Sequence, residues 1–314
     1  MTDAPRPDAE SGWRAQVAGL VHGECAWDAP LAPRTSIRVG GPADLLVRPE
    51  DPDDLVALLS ACSQRGVPLL VLGGGANLLV ADAGVRGVVV RLPVDFGQES
   101  VDGERLVLSG GAPVNRLVQR AQAAGLVGCE FAAGVPGTLG GAAAMNAGTR
   151  IGEMKDVVEA VEVATPEGVR FVPRDELGFS YRTCRLPPRA VVTRVAFRLR
   201  RGDVAASRAA MEADMAHRRL TQPLGWPTWG STFRNPPGDH AGRLIEAAGL
   251  KGHREGNARW SDVHANFVVN LGGATSRDCL ALIRLARTRV RDLFGVELEL
   301  EVRLAGAFAP DEHP

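Results

Sequence analysis

The chain has 314 residues, of which 45% are hydrophobic and 23% are charged, as in globular proteins large enough for two or three domains. Its formal net charge of −1, without a clustered basic run, argues against a nucleic-acid-binding surface. No apolar run reaches membrane-spanning length, and the polar, proline-rich start does not resemble a signal peptide. We therefore expect no membrane partner, and we expect about the first ten residues to be disordered.

The five cysteines are widely spaced and form no Cys-x-x-Cys pair, and no histidines stand at zinc-ligand spacing beside them. An odd, scattered set of this kind predicts reduced thiols. The expectation is a cytoplasmic protein without a metal site.

The first ninety residues predict a strand–helix–strand unit around a glycine loop. Asp51 followed by Pro52 is typical of a helix start, and Gly66 predicts its end. A strand over residues 67–72 then runs into GGGAN at residues 73–77, which we call the first glycine loop. Another buried strand is predicted at residues 87–92.

Further elements follow in a mixed pattern of short strands and helices. Strands are predicted at residues 105–109, 157–163, 169–172, 190–199 and 264–270, and helices at residues 113–124, 204–220 and 241–248. Thr275 and Asp278 predict a capping box for a helix that ends at Gly295. A last strand is predicted at residues 296–304, where apolar and polar residues alternate, with Glu297 and Glu299 on a solvated edge.

The stretch GVPGTLGGAAAMNAG, residues 134–148, is the second glycine loop and holds five glycines. Its successive amides are suited to binding an anion, with a short helix starting near Ala142 and Gly140 at positive φ. The alternative is a tight turn beneath small packed residues. The loop has no lysine, which excludes a nucleoside-triphosphatase phosphate loop.

Two glycine loops in one chain suggest a long ligand whose pyrophosphate is held from two sides. Neither loop fits the G-x-G-x-x-G pattern followed by an acidic residue about twenty positions later. A Rossmann-type NAD site is therefore poorly supported.

Six separated motifs between about Thr35 and Arg303, the two glycine loops among them, resemble the UDP-N-acetylenolpyruvoylglucosamine reductase (MurB) family. The resemblance implies an α+β protein, with a two-subdomain FAD-binding fold of the vanillyl-alcohol-oxidase (PCMH) type plus a C-terminal α+β substrate domain. We expect an N-terminal FAD-binding subdomain at residues 1–92, a second one at 93–201 and the substrate-binding domain at 202–314.

The same resemblance implies FAD bound noncovalently, because His22, the histidine of the FAD-binding part, lies outside both loops. NADPH is expected as the co-substrate. The residues implied to contact the cofactor are Gly73, Gly74, Gly75, Ala76, Asn77, Gly134, Val135, Pro136, Gly137, Thr138, Gly140, Gly141, Asn146 and Gly148.

The implied reaction is reduction of the enolpyruvyl ether of UDP-N-acetylglucosamine, in peptidoglycan precursor synthesis. Three positions match the family's catalytic set: Arg182 for the substrate carboxylate, Ser231 as proton donor, and Glu301 to support the enolate-like intermediate. The expected substrate contacts are Tyr181, Arg234, Asn235, His264, Asn266 and Arg303.

Some positions depart from the family pattern, namely Ala76, Arg150–Ile151, Cys184 and Arg234. Tyr181 is the only tyrosine, so the tyrosine-bearing loop of one subclass is missing and the chain resembles the shorter subclass. Residues 226–229 are the candidate for excluding water instead. The alternatives are an FAD-dependent oxidase of the same fold, which does not need the three catalytic positions, and a flavin-binding module without catalysis.

Overall fold

The computed structural model describes residues 12–309, so the disorder expected for the first ten residues lies outside this range. The chain divides into two compact units, each made from three stretches of sequence. The described part of the first unit comprises residues 12–27, 45–74 and 87–216, and that of the second comprises 28–44, 75–86 and 217–309. The three-domain division at residues 92 and 201 cuts the chain differently and stays a prediction.

The described residues form helices and short strands throughout. The α-helices are α1 Trp13–Ala18, α2 Pro52–Gln64, α3 Asn115–Ala123, α4 Leu139–Ala144, α5 Val204–Thr221, α6 Ala241–Ala247 and α7 Ser276–Phe294. The strands are β1 Glu24–Pro30, β2 Pro42–Arg48, β3 Leu69–Val71, β4 Leu78–Val80, β5 Val85–Val90, β6 Ser100–Asp102, β7 Arg105–Ser109, β8 Leu126–Val127, β9 Gly148–Thr149, β10 Gly152–Glu153, β11 Val158–Thr165, β12 Gly168–Pro173, β13 Val191–Arg198, β14 Arg200–Arg201, β15 Thr228–Ser231, β16 Arg254–Glu255, β17 Ala258–Trp260, β18 Phe267–Asn270 and β19 Arg303–Ala305.

Local capping explains where the longer helices begin and end. The Asp51 carboxylate accepts a hydrogen bond from the Asp54 N–H at 2.8 Å, and Pro52 occupies the first turn of α2. Thr275 and Asp278 form the predicted capping box of α7, and Gly295 ends that helix at φ 67°. These sequence predictions are confirmed.

The first unit is organised around a five-stranded antiparallel sheet with the order β12-β11-β13-β7-β6. Helices α3 and α4 pack on β7 and β13, and Leu117, Leu139 and Phe197 are completely buried between them. A second sheet has the order β1-β2-β5-β3, in which β3 and β5 pair in parallel. Strands β2 and β3, which flank α2, are not neighbours in this sheet, because β5 lies between them.

The second unit packs α6 and α7 on an antiparallel sheet with the order β15-β18-β17-β16. Its core contains Trp229, Phe233 and Trp260, and the Phe233 and Trp260 rings stack with centroids 6.1 Å apart. A separate parallel pair joins β19 to β4.

The strand predicted at residues 296–304 is wrong over most of its length, because only residues 303–305 form a strand. The alternation itself is real, since Leu298 and Val302 are buried while Glu297 and Glu299 are exposed. Leu300 makes a single bridge to Phe233, and no continuous partner strand is recorded for this segment within residues 12–309. Among the described residues this segment therefore shows the alternating burial of a strand without the hydrogen bonds of a continuous partner strand.

In the described part of the chain, no helix combines the length and apolar character needed to cross a bilayer. The same residues contain no cluster of three or more histidine, cysteine or acidic side chains that could hold a metal ion.

Candidate active site

The helix of the second glycine loop begins three residues earlier than predicted. Helix α4 starts at Leu139, and the Thr138 hydroxyl accepts a hydrogen bond from the Gly141 N–H at 3.3 Å. The positive φ predicted for Gly140 is wrong, because Gly140 lies inside this helix. Glycine is required there for packing, since a Cβ atom would lie 3.0 Å from the carbonyl oxygens of Gly110 and Val192. Gly137, at φ 101°, is the residue that needs the unusual backbone.

Within the first unit the two glycine loops touch. A Cβ atom on Gly73 would lie 2.6 Å from the Thr138 hydroxyl oxygen, and one on Gly74 would lie 2.5 Å from the Gly137 Cα atom. Any side chain at Gly74 would therefore push the loops apart. The prediction that these glycines allow close backbone approach is physically sound at this contact.

The backbone at this contact is suited to a phosphate group. Among residues 12–309, no hydrogen bond is recorded from the backbone N–H groups of Gly73, Gly74, Gly137 and Thr138. Amides left over at glycine turns, without a side chain above them, are the donors that bind pyrophosphates. The first unit thus fits FAD at residues 73–74 and 137–138.

The remainder of the first glycine loop belongs to the second unit. Gly75 has φ 61°, and a Cβ atom there would lie 2.4 Å from the Arg34 carbonyl oxygen. Its own carbonyl accepts a hydrogen bond from the Ser36 N–H at 3.0 Å. The Asn77 side-chain amide donates to the Glu301 carbonyl oxygen at 2.9 Å, so this side chain supports a candidate catalytic residue.

Asn146 was expected in the cofactor wall, but its carboxamide is engaged elsewhere. The side chain is fully buried and Nδ2 donates to Glu153 Oε2 at 2.8 Å and to the Ser180 carbonyl oxygen at 2.9 Å. Oδ1 accepts from the Lys155 N–H at 2.9 Å. Both Nδ2 hydrogens are therefore used inside the first unit, and a cofactor contact for Asn146 stays a prediction.

Arg182 lies in a two-residue turn, here called the Arg182 turn, that spans residues 180–183. Ser180 and Thr183 exchange backbone hydrogen bonds of 3.0 and 3.1 Å, which places Tyr181 and Arg182 at the tip. Arg182 has φ 54°, a left-handed conformation that costs an L-residue about 1–2 kcal/mol. Its guanidinium carbon lies 5.3 Å from the Tyr181 ring centroid, and the tyrosine is 50% exposed. Strained residues of this kind cluster at functional sites.

In the second unit the structure brings the chain at Ser231 next to Glu301. The Thr232 carbonyl oxygen accepts hydrogen bonds from the N–H groups of Glu301 at 2.9 Å and Val302 at 3.3 Å. We call residues 228–235 the Ser231 segment. Its first four residues form β15, which pairs with β18 and places Ser231 opposite Phe267. Both Ser231 and Glu301 are partly buried, as a proton donor and a supporting carboxyl group require.

Asn266 is almost fully buried and binds the backbone of the Ser231 segment. Its Nδ2 donates to the Phe233 carbonyl at 2.8 Å, and its Oδ1 accepts from the Phe233 N–H at 2.9 Å. The neighbouring His264 accepts a hydrogen bond from the Asn266 N–H through Nδ1 at 3.2 Å, which requires a neutral ring. Burial lowers the pKa of His264, and Lys251 lowers it further, whereas Glu246 raises it.

The remaining predicted substrate residues differ in how much of each side chain is already engaged. Arg234 has a buried Nε atom without a hydrogen-bond partner among residues 12–309. Asn235 accepts a hydrogen bond from the Ala241 N–H at 3.1 Å, at the start of α6. The exposed Arg303 donates through its backbone N–H to the Asn77 carbonyl at 3.2 Å.

The two tryptophans of residues 226–229, the stretch expected to exclude water, have different surroundings. Trp229 is 2% exposed and donates through Nε1 to the Thr232 hydroxyl at 3.2 Å, so it belongs to the core. Trp226 is 46% exposed, with the Arg259 guanidinium 5.9 Å from its ring centroid. Only Trp226 remains a candidate for covering a substrate.

The Arg150–Ile151 departure lies at an open cavity of about 610 Å³ in the first unit. Arg150 forms an ion pair of 2.9 Å with the buried carboxylate of Asp214 on α5. Glu130, which also lines this cavity, accepts hydrogen bonds from the Ser207 hydroxyl and the Gly128 N–H. This arginine is therefore engaged by a helix rather than by the glycine loops.

The sequence did not reveal Glu153 and Thr232, which hold the Arg182 turn and the Ser231 segment in place. Glu153 binds Asn146, and the Thr232 carbonyl binds Glu301. The only local signal was the capping box of Glu153 and Asp156, a spacing that sequence inspection can find.

Residues 222–305 match the family model for the C-terminal domain of UDP-N-acetylenolpyruvoylglucosamine reductase, and residues 43–171 match the model for an FAD binding domain. The chain is 67% identical to that reductase from Anaeromyxobacter sp. (strain Fw109-5), over 99% of this chain and 98% of the relative. It is 53% identical to that of Myxococcus xanthus, over 95% and 99%. The Thermus caldophilus MurB crystal structure superposes with a TM-score of 0.77 at 39% identity, covering 90% of this chain and 99% of that chain. These likenesses confirm the predicted fold class.

Proposed function

The chain belongs to the UDP-N-acetylenolpyruvoylglucosamine reductase family, and from that premise we propose its function. It is an FAD-containing oxidoreductase that reduces the enolpyruvyl ether of UDP-N-acetylglucosamine to UDP-N-acetylmuramate in peptidoglycan precursor synthesis. The observation that carries this conclusion is the likeness to reductases over almost the whole chain. The residue roles below are our proposals, each supported by the geometry of its own unit.

The glycine contact of the first unit is proposed to hold the FAD pyrophosphate. Bound FAD supplies the hydride chemistry, accepting a hydride from a nicotinamide nucleotide and delivering it to the substrate alkene. The amides of Gly73, Gly74, Gly137 and Thr138 support this role, because no protein partner is recorded for them among the described residues. We retain Gly75–Asn77, Gly134–Pro136, Gly140, Gly141 and Gly148 as proposed contacts and infer that binding is noncovalent.

Arg182 is proposed to bind the carboxylate of the enolpyruvyl group. A guanidinium keeps its charge at any relevant pH and can bind both carboxylate oxygens. As the alkene accepts a hydride, negative charge develops toward that carboxylate, and a cation fixed there stabilises the transition state. The turn geometry supports this role, because its left-handed backbone places Arg182 beside Tyr181 at the tip.

Ser231 is proposed to donate the proton that completes the reduction, with Glu301 supporting the enolate-like intermediate. An alkyl hydroxyl is a weak acid, so it needs a partly dehydrated setting and a neighbouring group that can relay a proton. The shared attachment of the Ser231 segment and Glu301 at the Thr232 carbonyl supports this pairing.

The UDP-sugar contacts are proposed to include Tyr181, Arg234, Asn235, His264 and Arg303. The unpartnered Nε of Arg234 suits an acidic ligand such as the diphosphate. Asn266 is proposed to act through the Phe233 backbone. We infer that the nicotinamide co-substrate is NADPH, that no nucleic acid takes part and that the protein is cytoplasmic.

The decisive experiment is a flavin spectrum combined with a comparison of electron acceptors. We expect a yellow protein that releases FAD on acid denaturation, is reduced by NADPH, and is reoxidised far faster by the enolpyruvyl substrate than by oxygen. Faster reoxidation by oxygen, with no response to the enolpyruvyl sugar, would instead identify an oxidase of the same fold.

A second arm tests the glycine contact itself. Gly74→Ala inserts a methyl group where a Cβ atom lies 2.5 Å from the Gly137 Cα, so the purified variant should lack FAD. Gly225→Ala is the matched control, because no atom lies within 4 Å of that added carbon. Full FAD content in Gly74→Ala would refute this cofactor site.

A further inference from the structure

We propose that Asn146 is a positioning residue for Arg182, acting through its hydrogen bond to the Ser180 carbonyl oxygen. This inference rests on the proposed role of Arg182 in binding the substrate carboxylate. It reassigns Asn146 from the cofactor wall to the support of the Arg182 turn.

The bond from Asn146 reaches the base of the turn. The Ser180 carbonyl accepts both the Thr183 N–H at 3.1 Å, which closes the turn, and Asn146 Nδ2 at 2.9 Å, which attaches it to the interior. Arg182 follows two residues later at φ 54°. Because that conformation is unfavourable for an arginine, an attachment from outside the turn stabilises it in addition to the two backbone bonds that close it.

The other contacts of Asn146 make it a rigid attachment point. Nδ2 also donates to Glu153 Oε2, and Oδ1 accepts from the Lys155 N–H, so rotating the carboxamide would break three hydrogen bonds. Glu153 is fixed in turn by a capping box with Asp156. Gly148 permits this arrangement, since a Cβ atom there would lie 2.5 Å from the Glu153 Cβ.

The backbone of Asn146 also has positive φ, 47°, where asparagine and glycine are the favoured residues. Asn146→Gly therefore removes the carboxamide while keeping the backbone conformation. This substitution separates the hydrogen bond from the shape of the loop.

The experiment uses the FAD-loaded protein in anaerobic stopped flow, with NADPH reduction and reoxidation by the enolpyruvyl sugar followed separately. In Asn146→Gly we expect unchanged FAD content and NADPH reduction, and reoxidation slowed about 10- to 100-fold, the effect of misplacing a positioned group by about 1 Å. Arg182→Ala combined with Asn146→Gly should be no slower than Arg182→Ala alone. Asn257→Gly, in a turn of the second unit, is the matched control and should leave both rates unchanged.

Tyr181 gives a readout that does not depend on turnover. It is the only tyrosine in the chain and lies at the tip of the turn, so 3-fluorotyrosine labelling gives one ¹⁹F resonance. We expect that resonance to shift and broaden in Asn146→Gly and to stay unchanged in Asn257→Gly.

Loss of FAD from a folded Asn146→Gly would overturn the inference and return Asn146 to the cofactor wall. Unchanged reoxidation and an unchanged ¹⁹F resonance would also overturn it. If Arg182→Ala alone reoxidises normally, the proposed role of Arg182 fails and this inference fails with it. If Arg182→Ala is slow while Asn146→Gly is not, only this inference fails.

Should Asn146→Gly not fold, Asn146→Asp provides the same test at pH 8. It keeps the side-chain volume and the tolerance for positive φ, but a carboxyl group has at most one hydrogen to donate. Beside Glu153 that hydrogen goes to the stronger acceptor, the Glu153 carboxylate, so the bond to the Ser180 carbonyl is lost. The same slowing of reoxidation with retained FAD would support the inference, and a normal rate would overturn it.

Discussion

Two buried asparagines, one in each unit, hold the loops that carry candidate catalytic residues, and they do so differently. Asn146 reaches the Arg182 turn through one bond to the Ser180 carbonyl. Asn266 binds both the N–H and the carbonyl of Phe233, within the Ser231 segment. The first attachment is a single bond to the base of a turn, whereas the second adds to a segment whose backbone already pairs with β18.

Backbone pairing with neighbouring segments distinguishes the Ser231 segment from the Arg182 turn. The Ser231 segment pairs with β18, and its Thr232 carbonyl binds the backbone of Glu301. Backbone hydrogen bonds survive a change of side chain, so the position of Ser231 depends little on any single residue. The Arg182 turn has a strained backbone, and Asn146 binds it from outside through the Ser180 carbonyl, so we expect its geometry to depend on Asn146. Substitutions should therefore damage catalysis at the turn and stability at the Ser231 segment.

The largest effect is expected where chemistry rather than position is removed. Ser231→Ala should slow reoxidation of the reduced enzyme by the enolpyruvyl sugar by about 10²–10⁴, the contribution of a positioned acid. Reduction by NADPH needs no such proton donor and should be almost unchanged. Anaerobic stopped flow measures the two half-reactions separately.

Ser231→Cys is the control, since a thiol can still donate a proton and part of the rate should remain. If Ser231→Ala slowed both half-reactions equally, the residue would be shaping the segment and the proton-donor role would be lost.

A slightly smaller effect is expected at the turn. Arg182→Lys keeps the positive charge but loses the planar, two-pronged match to a carboxylate. Reoxidation should slow by about 10²–10³, as when a preorganised donor is removed, while FAD content stays the same. Turnover like that of the unaltered protein would mean that Arg182 has no part in substrate reduction.

Features that depend on neighbouring residues could be predicted from the sequence. The caps of α2 and α7 were found because their partners stand three residues apart. The attachment of Asn146 to Ser180 was not, since 34 residues separate the two. No local spacing signals such a contact. Only the fold creates it. In the same way, the fold gives residues 296–302 no partner strand among residues 12–309, although their alternation suggests one.

The glycine loops show the same limit in the candidate site. Composition identified a tight anion-binding backbone, and the contact of Gly74 with Gly137 agrees with it. Composition did not reveal that Gly140 is helical, because the start of α4 depends on the Thr138 cap and on packing against Gly110 and Val192. The first loop is also divided between the two units after Gly74, which no feature of GGGAN indicates.

An intermediate effect on stability is expected at Asn266, which binds the backbone of the Ser231 segment. Asn266→Ala leaves the buried N–H and carbonyl of Phe233 without partners, so the free energy of unfolding should fall by about 2–4 kcal/mol. Well below the melting temperature, reoxidation should slow less than in Asn146→Gly. Denaturant titration and stopped flow on the same samples give both quantities.

Asn270→Ala is the matched control for Asn266→Ala. Asn270 is a buried asparagine at the end of β18, the strand that begins directly after Asn266, and its Nδ2 donates to the Ile37 carbonyl rather than to the Ser231 segment. A similar loss of stability without any change in rate is expected. If Asn266→Ala proved more damaging to catalysis than Asn146→Gly, the distinction between the Ser231 segment and the turn would be wrong.

The smallest expected effect is a difference between the two units in how they respond to pH. Burial and Lys251 lower the pKa of His264 in the folded state, with Glu246 opposing them, so the unfolded chain binds a proton at higher pH than the folded one. Stability from this group is fully present above the unfolded pKa, about 6.5, and is lost as pH falls through the folded value. Protonation also removes the His264 acceptor for the Asn266 N–H, and Asn266 is the residue that binds the Ser231 segment. His264→Gln should therefore reduce the drop in melting temperature between pH 8 and pH 5.5. The ¹⁹F resonance of Tyr181 in the unaltered protein should stay constant between pH 6.5 and pH 5.5, where a fluorinated phenol remains protonated. An equal drop in the variant would show that His264 does not set the acid sensitivity of this unit.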